Sequence, residues 1–219
     1  MTKDMLILAI DTSQKACSVA LCRGNALIAG QSEMLGRGHA ERLLPMIDEI
    51  LSAHDVKYTD LERLAVITGP GAYTGVRIGV AVARGLALAN KIPCLGFTAL
   101  QVAMTDDGVP EGVILSTVAG RGDTVFAQKF TKYRGEIMVC EEARSITLEE
   151  ARSCGAKYIL GSGRVQLGLD GEISQDHMPN CYRLALLAIQ ADPKECPAEP
   201  TYFRPADALP AKVIFEVMD

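Results

Sequence analysis

Between Thr68 and Asn90 the chain reads TGPGAYTGVRIGVAVARGLALAN, and this stretch restricts the fold more than any other. It follows Leu64-Ala65-Val66-Ile67, an apolar run of the length of a short buried strand. Gly69-Pro70-Gly71 then interrupts regular structure, because glycine permits positive φ and proline fixes φ without donating a hydrogen bond. Thr74 stands where it can cap a helix, and Val76, Ile78, Val80, Val82, Leu86 and Leu88 carry that helix to Asn90, with Pro93 as the stop. Gly75, Gly79 and Gly85 each cost it about 1 kcal/mol relative to alanine. Gly75, Gly79, Ala83 and Ala87 fall four apart and form one nearly bare strip. Something must pack close to that strip: the chain's own sheet, a helix of a partner subunit, or a phosphate at the helix start. Spacing disfavours the phosphate. GPGAYTG matches neither G-x-x-x-x-G-K-[ST] nor G-x-G-x-x-G, since Thr74 occupies the place of the last glycine.

A chain of 219 residues, 48% hydrophobic and 22% charged, is expected to form one or two globular domains. Tryptophan is absent and aromatics are few, so aliphatic side chains must fill the core. The net charge of −5 and the scattered basic residues argue against an autonomous nucleic-acid binder, which needs a basic footprint. Seven cysteines without a C-x-x-C pair read as free thiols in a reducing compartment. The apolar run Met5 to Ile10 ends in Asp11, unlike a signal peptide, and Arg77 and Arg84 break the longest apolar region, so no membrane span is expected. These features predict a cytoplasmic protein.

Residues 5–10, Ala16 to Leu21 and Ala26 to Ala29 read as strands of an antiparallel meander. Leu43, Met46, Ile47, Ile50 and Leu51 then set a helical period over 39–53, with Pro45 expected to kink or break it. The strand at 64–67, the glycine-rich helix and a strand at 92–96 follow. From Gly112 the order strand, strand, strand, helix, strand, helix recurs with shorter helices, ending at Tyr182 to Gln190. The expectation is α/β, with two related lobes over 1–107 and 108–219 joined near Asp106-Asp107. The tail from Asp192 holds five prolines and should run extended over the surface.

The segments LAIDTS, CSVAL, HAERLLPMID, GPGAYTGVRIGVAVARGLA and TYFRP together resemble the TsaB family, also called YeaZ. The resemblance spans most of the chain. It implies an actin-like (ribonuclease H-like) fold with mixed sheets, the second lobe reduced. It further implies a non-catalytic subunit of the complex that forms N6-threonylcarbamoyladenosine at position 37 of certain tRNAs. The catalytic relative TsaD and the ATPase TsaE would be its partners, and tRNA would be met only indirectly. Two helices of each partner would form the interface with TsaD, with His39, Leu43, Met46, Ile47, Gly75, Gly79 and Ala83 at the contact. The same helices would serve a homodimer.

The residues bear on that role. Catalytic members of the class hold a metal with two histidines four apart, whereas Leu43 stands four after His39 and His54 lies too far along. No metal or other cofactor is therefore expected. Asp11 occupies the position of a nucleotide-contacting carboxylate, and Asp-Thr-Ser is equally an ordinary turn. The matching place in the second lobe reads Ala119-Gly120-Arg121, without a carboxylate. H-E-x-x-H and G-x-S-x-G are both missing. The alternative to the accessory role is an ATP-dependent phosphotransferase or ATPase of the same fold class, with Asp11 and the Gly69–Gly75 loop beside the nucleotide.

Overall fold

A computed structural model describes residues 4–105, 108–169 and 180–203. The first lobe runs β1 (Leu6–Asp11), β2 (Ala16–Arg23), β3 (Ala26–Met34), α1 (His39–Ala53), β4 (Arg63–Gly69), α2 (Tyr73–Asn90), β5 (Cys94–Thr98) and α3 (Ala99–Val102). The second runs β6 (Gly112–Ala119), β7 (Thr124–Tyr133), β8 (Glu136–Val139), β9 (Arg144–Thr147), α4 (Leu148–Ser153) and β10 (Tyr158–Leu160), and α5 (Cys181–Gln190) follows.

The first sheet has the order β3-β2-β1-β4-β5. β1 is antiparallel to β2, with Leu8 opposite Leu21, and parallel to β4, with Leu8 beside Leu64. Strands buried on both faces read as continuous apolar runs, which is why LILAI and LAVI lack alternation. On one face Leu8, Ile10 and Val66 meet Leu43 and Ile47 of α1 and Val76 and Val80 of α2. On the other, Ile7, Ala9 and Ala65 meet Leu100 of α3 and Leu184 and Ala188 of α5.

The second sheet follows β10-β6-β7-β8, with β9 also paired to β7. With β6, β7, β8 and β10 set against β1, β2, β3 and β4, the two orders coincide, so the expected duplication of topology is present. The fifth strand has no counterpart in this sheet among the described residues. Val118 and Phe126 join the cluster around α5, which places α3 and α5 as a layer between the sheets. Ser116 Oγ donates to the Leu100 carbonyl across that layer at 2.9 Å.

Several expectations are corrected. The helix of the glycine-rich stretch starts at Tyr73, and Ala72, not Thr74, is its N-cap. Its start is fixed by a tertiary contact, Ala72 N donating to the Ser13 carbonyl at 2.7 Å. Lys91, not Asn90, takes the left-handed conformation after the helix. α1 continues unbroken through Pro45, which sits on the exposed side where water can serve the carbonyl left without a donor. β3 extends to Met34, and β9 and α3 were not anticipated.

Residues assigned to the second lobe by sequence also cross over: α5 packs on β1, β2 and β4. Arg63 Nη1 of β4 donates to the carbonyls of Ala188 and Ala191 at 2.6 and 2.9 Å, tying down the end of α5. The segment beyond it runs along β5, with Gly96 N bonded to the Cys196 carbonyl and Thr201 N to the Thr68 carbonyl. The proposed joint at Asp106-Asp107 and the tail prolines Pro205 and Pro210 lie outside the described residues.

Candidate functional site: a cleft and an open helix face

β1 ends in Asp11-Thr12-Ser13, and this turn is clasped to the start of α2. Thr12 Oγ1 donates to the Gly75 carbonyl at 2.7 Å. A Cβ at Gly75 would collide with the Thr12 carbonyl, and one at Gly71 with the Ser13 carbonyl. At Gly79 a Cβ would come within 2.5 Å of Thr12 Oγ1 and meet Val66 and Ile10 behind it. Of the three partners open to the bare strip, the chain's own sheet and turn are the ones that fill it. Only glycine admits the turn this close.

The residues expected at a partner interface lie on the inward faces of α1 and α2. Leu43, Met46, Ile47 and Ala83 are fully buried, His39 is 8% exposed, and Gly75 and Gly79 are buried in the same core. His39 Nε2 lies 3.1 Å from the Gln14 carbonyl, so the histidine packs the turn. The apolar period read from sequence marks the inward faces of α1 and α2, as it does for any helix laid on a sheet. None of the seven residues is exposed.

The outward face has other residues. On α1 it holds Leu44 and Pro45 among the exposed Glu41 and Asp48; on α2, Ala81, Gly85 and Leu88 beside the exposed Arg77 and Arg84, with Ile78 and Val82 half-buried. Leu88 is 81% exposed, and a Cβ at Gly85 would meet nothing within 4 Å. Gly85 is thus the glycine whose bare surface is offered to solvent. Its sequence signal is its place off the four-residue strip, about 120° round the helix from Gly79.

A cleft of 1310 Å³ opens beside the turn, lined by Asp11, Gln14, Lys15, Gly71, Thr74 and Cys181 among others. Asp11 is buried, and burial pushes its carboxyl above the ordinary value of 3.8, opposed by the hydrogen bond from Ser13 N to Oδ1 at 2.8 Å. The Ser13 carbonyl takes the Ala72 amide, and the Thr12 carbonyl is pressed on Gly75. Acceptors, not donors, therefore crowd the N-terminus of α2, the reverse of what a phosphate needs there. Ala119 ends β6 with no carboxylate facing Asp11. Among the described residues no group of three or more His, Cys, Asp or Glu could hold a metal ion, and no helix is long and apolar enough to cross a membrane. All seven cysteines are free, and burial raises the thiols of Cys17, Cys22 and Cys94 to about 11.

Residues 32–154 match the family model described as TsaD, tRNA N6-adenosine threonylcarbamoyltransferase. The tRNA threonylcarbamoyladenosine biosynthesis protein TsaB of Escherichia coli K12 is 36% identical over 150 residues, 67% of this chain and 64% of that one. The chain belongs to the TsaB family. The Bacillus subtilis TsaB is 35% identical over 122 residues, 56% of this chain and 53% of its own. The matched region thus spans between about half and two thirds of these relatives. The solved structure of YeaZ from Pseudomonas aeruginosa superposes with a TM-score of 0.74 at 26% identity, covering 90% of this chain and 99% of that one. The chain accordingly has the fold of YeaZ, α/β with two mixed sheets and the second lobe reduced.

Proposed function

We propose that this chain is a non-catalytic partner in the formation of N6-threonylcarbamoyladenosine on tRNA, binding and activating the transferase paralogue TsaD. The observation that carries the proposal is the exposed α1–α2 face, which offers Leu44, Leu88 and the bare surface of Gly85, on a member of the TsaB family. Leu44, Pro45, Ala81, Gly85 and Leu88 would form the contact, Gly85 allowing a partner helix close approach and Leu88 supplying buried area. The same face would serve a homodimer when TsaD is absent, and the ATPase TsaE would join the assembled pair. With a net charge of −5 the chain leaves tRNA to its partners.

The test is reconstitution of tRNA threonylcarbamoylation from TsaD, TsaE and the enzyme that makes threonylcarbamoyl-adenylate, with and without this protein. Activity that collapses on omission and returns on addition is the expected result; indifference would remove the proposal. A second reading places an ATP-dependent phosphotransferase or ATPase in the cleft, favoured by its volume and by Asp11. The acceptors crowding the α2 N-terminus weigh against it. Titration with magnesium-ATP decides: no binding at millimolar nucleotide eliminates it.

A further inference from the structure

The outward stripe of α2 carries charge that the helix does not balance. Tyr73, Arg77, Ala81, Arg84 and Leu88 stand three or four apart and all are exposed, so they form one line down the helix beside Gly85. α2 contains no aspartate or glutamate, in a chain with 27 acidic residues against 22 basic ones. Three other cations find carboxylates: Arg42 pairs with Glu33, Lys129 with Glu141 and Arg144 with Glu150. Among the described residues neither Arg77 nor Arg84 forms an ion pair.

Arg77 is also held in place. Its guanidinium carbon lies 3.8 Å from the centroid of the Tyr73 ring, one turn earlier on α2, and 5.6 Å from that of Tyr202. The two ring centroids are 5.3 Å apart. Arg77 Nε donates to the Tyr202 hydroxyl at 2.8 Å. Tyr202 belongs to the segment beside β5, which is tied to the end of β4 by Thr201 N donating to the Thr68 carbonyl at 2.8 Å. Arg77 is thus clasped between side chains of two separate segments, with both rings half-exposed. The clasp uses Nε and the flat faces of the guanidinium. The edge bearing Nη1 and Nη2 keeps the fork that suits a carboxylate.

We propose that Arg77 is the polar anchor of the α1–α2 face and takes a carboxylate of the partner helix in a bidentate pair. The inference rests on the reading of that face as the contact with TsaD. Arg77 stands about 12 Å along α2 from Gly85, within the two or three turns that packed helices share. Covering an arginine strips water from its charge, which costs more than packing returns unless a carboxylate replaces the water. The two arginines meet that demand differently. Arg84 is not clasped, and its long stem can carry the charge to the wet rim of a contact. Arg77 cannot leave without unstacking from both rings and giving up its bond to Tyr202, so its carboxylate has to come from the partner. Its side chain is ordered before association, which lowers the cost of binding, and arginine among tyrosines is the composition of an interface hot spot. Gly85 and Leu88 then supply approach and area, while Arg77 sets the register of the helices and discriminates against a partner with no acid at that place.

Calorimetric titration with TsaD tests this, with circular dichroism and hydrogen exchange measured on each variant. Arg77→Ala should weaken binding at least about thirtyfold, and Arg77→Lys, which keeps the charge and loses the fork, should restore little of the loss. Arg84→Ala should change binding less than about fivefold, as a charge at the rim does. Tyr202→Phe keeps the ring and frees Nε; its effect should fall between these two, and adding it to Arg77→Ala should cost nothing more. When acidic residues on the facing helices of TsaD are replaced by arginine one at a time, one of them should restore binding to Arg77→Glu. Binding that is unchanged by Arg77→Ala yet lost with Leu88→Glu overturns the anchor and leaves the TsaD contact standing. No binding by the unaltered chain removes the contact itself, and the anchor with it. If Arg77→Ala weakens binding only together with lost protection of the Thr201 amide, and no TsaD residue rescues Arg77→Glu, the clasp merely fastens the segment around Tyr202 and the proposal fails.

Discussion

The two sheets share a strand order and differ in what covers them. The first is coated on both faces, by α1 and α2 on one side and by α3 and α5 on the other, and β1 is buried along its whole length. The second is covered on its outer face by the short α4 and the residues around Leu167, in a much smaller cluster, and among the described residues nothing pairs with the outer edge of β8. The divergence begins after the fourth strand of each lobe. β4 leads into α2, whereas β10 leads into a single 3-10 turn at Ser162–Arg164. The next described helix, α5, packs on the first sheet. Duplication has kept the strand topology while one lobe's helix serves both, so the first lobe should hold most of the stability and the second should tolerate more change.

The glycines after each fourth strand offer the strongest test. Gly79 faces Thr12 beneath α2, and Gly163 faces Thr117, a Cβ there coming within 2.8 Å of Oγ1. Thr117 Oγ1 also donates to the Leu160 carbonyl, as Thr12 donates to Gly75. Gly79→Leu has no room to relax between Thr12, Ile10 and Val66, and should cost more than about 3 kcal/mol in urea denaturation, at the upper end of overpacking effects. Gly163→Leu, on a short turn in the thinner lobe, should cost about 1–2 kcal/mol. Equal losses would break the comparison.

Cavity-forming substitutions come next. Leu43→Ala, in the large cluster under α1, should lose about 3–5 kcal/mol, and Leu115→Ala in the second sheet about 2–3 kcal/mol. If Leu43→Ala instead left stability unchanged and weakened association with TsaD, the inward assignment of that face would be wrong.

Much of this asymmetry could be read before any coordinates. Continuous apolar runs gave β1 and β4, and the repeated order of elements gave two lobes, because both depend on local pattern. The apolar stripes of α1 and α2 face inward for a physical reason. Periodicity finds the stripe that leaves water, and on a helix laid over a sheet that stripe is Leu43, Met46 and Ile47. Small residues at Gly75, Gly79 and Ala83 signalled close approach correctly, yet spacing cannot say whose atoms approach. The crossing of α5 to the other lobe was illegible too, since it rests on tertiary pairings such as Arg63 with Ala188, distant in sequence. β9 was hidden because RSIT is short and runs directly into α4.

Asp11 separates the lobes electrostatically, since Ala119 ends the equivalent strand. Burial raises the Asp11 carboxyl above 3.8, so the native state holds this proton more tightly than the unfolded chain. Stability from this group is highest below 3.8 and is lost as pH rises through the raised value. Asp11→Asn keeps an oxygen for the Ser13 amide and removes the ionisation cost. It should raise Tm at pH 7 by a few degrees, with the gain closing as pH falls toward 3.8. No gain at pH 7 would mean that a bound cation or donor compensates the carboxylate in the cleft.

The smallest effect sharpens the contrast within a single helix. Gly85 lies on α2 six residues beyond Gly79, and among the described residues nothing lies within 4 Å of its Cβ position. Its backbone is helical with negative φ, so alanine introduces no strain and removes the freedom that glycine gives the unfolded chain. Gly85→Ala should therefore stabilise the isolated protein by about 0.5–1 kcal/mol, the opposite sign from Gly79. Gly85→Leu should also fold, yet by calorimetry it should weaken binding to TsaD at least tenfold if a partner helix rests on the bare surface, an overpacking cost of about 1.4 kcal/mol or more. A glycine that is dispensable for folding and required for association is costly in the free helix and is explained only by what comes to lie against it. If Gly85→Leu binds TsaD as well as the unaltered chain does, that explanation fails, and the contact must be sought elsewhere on the chain.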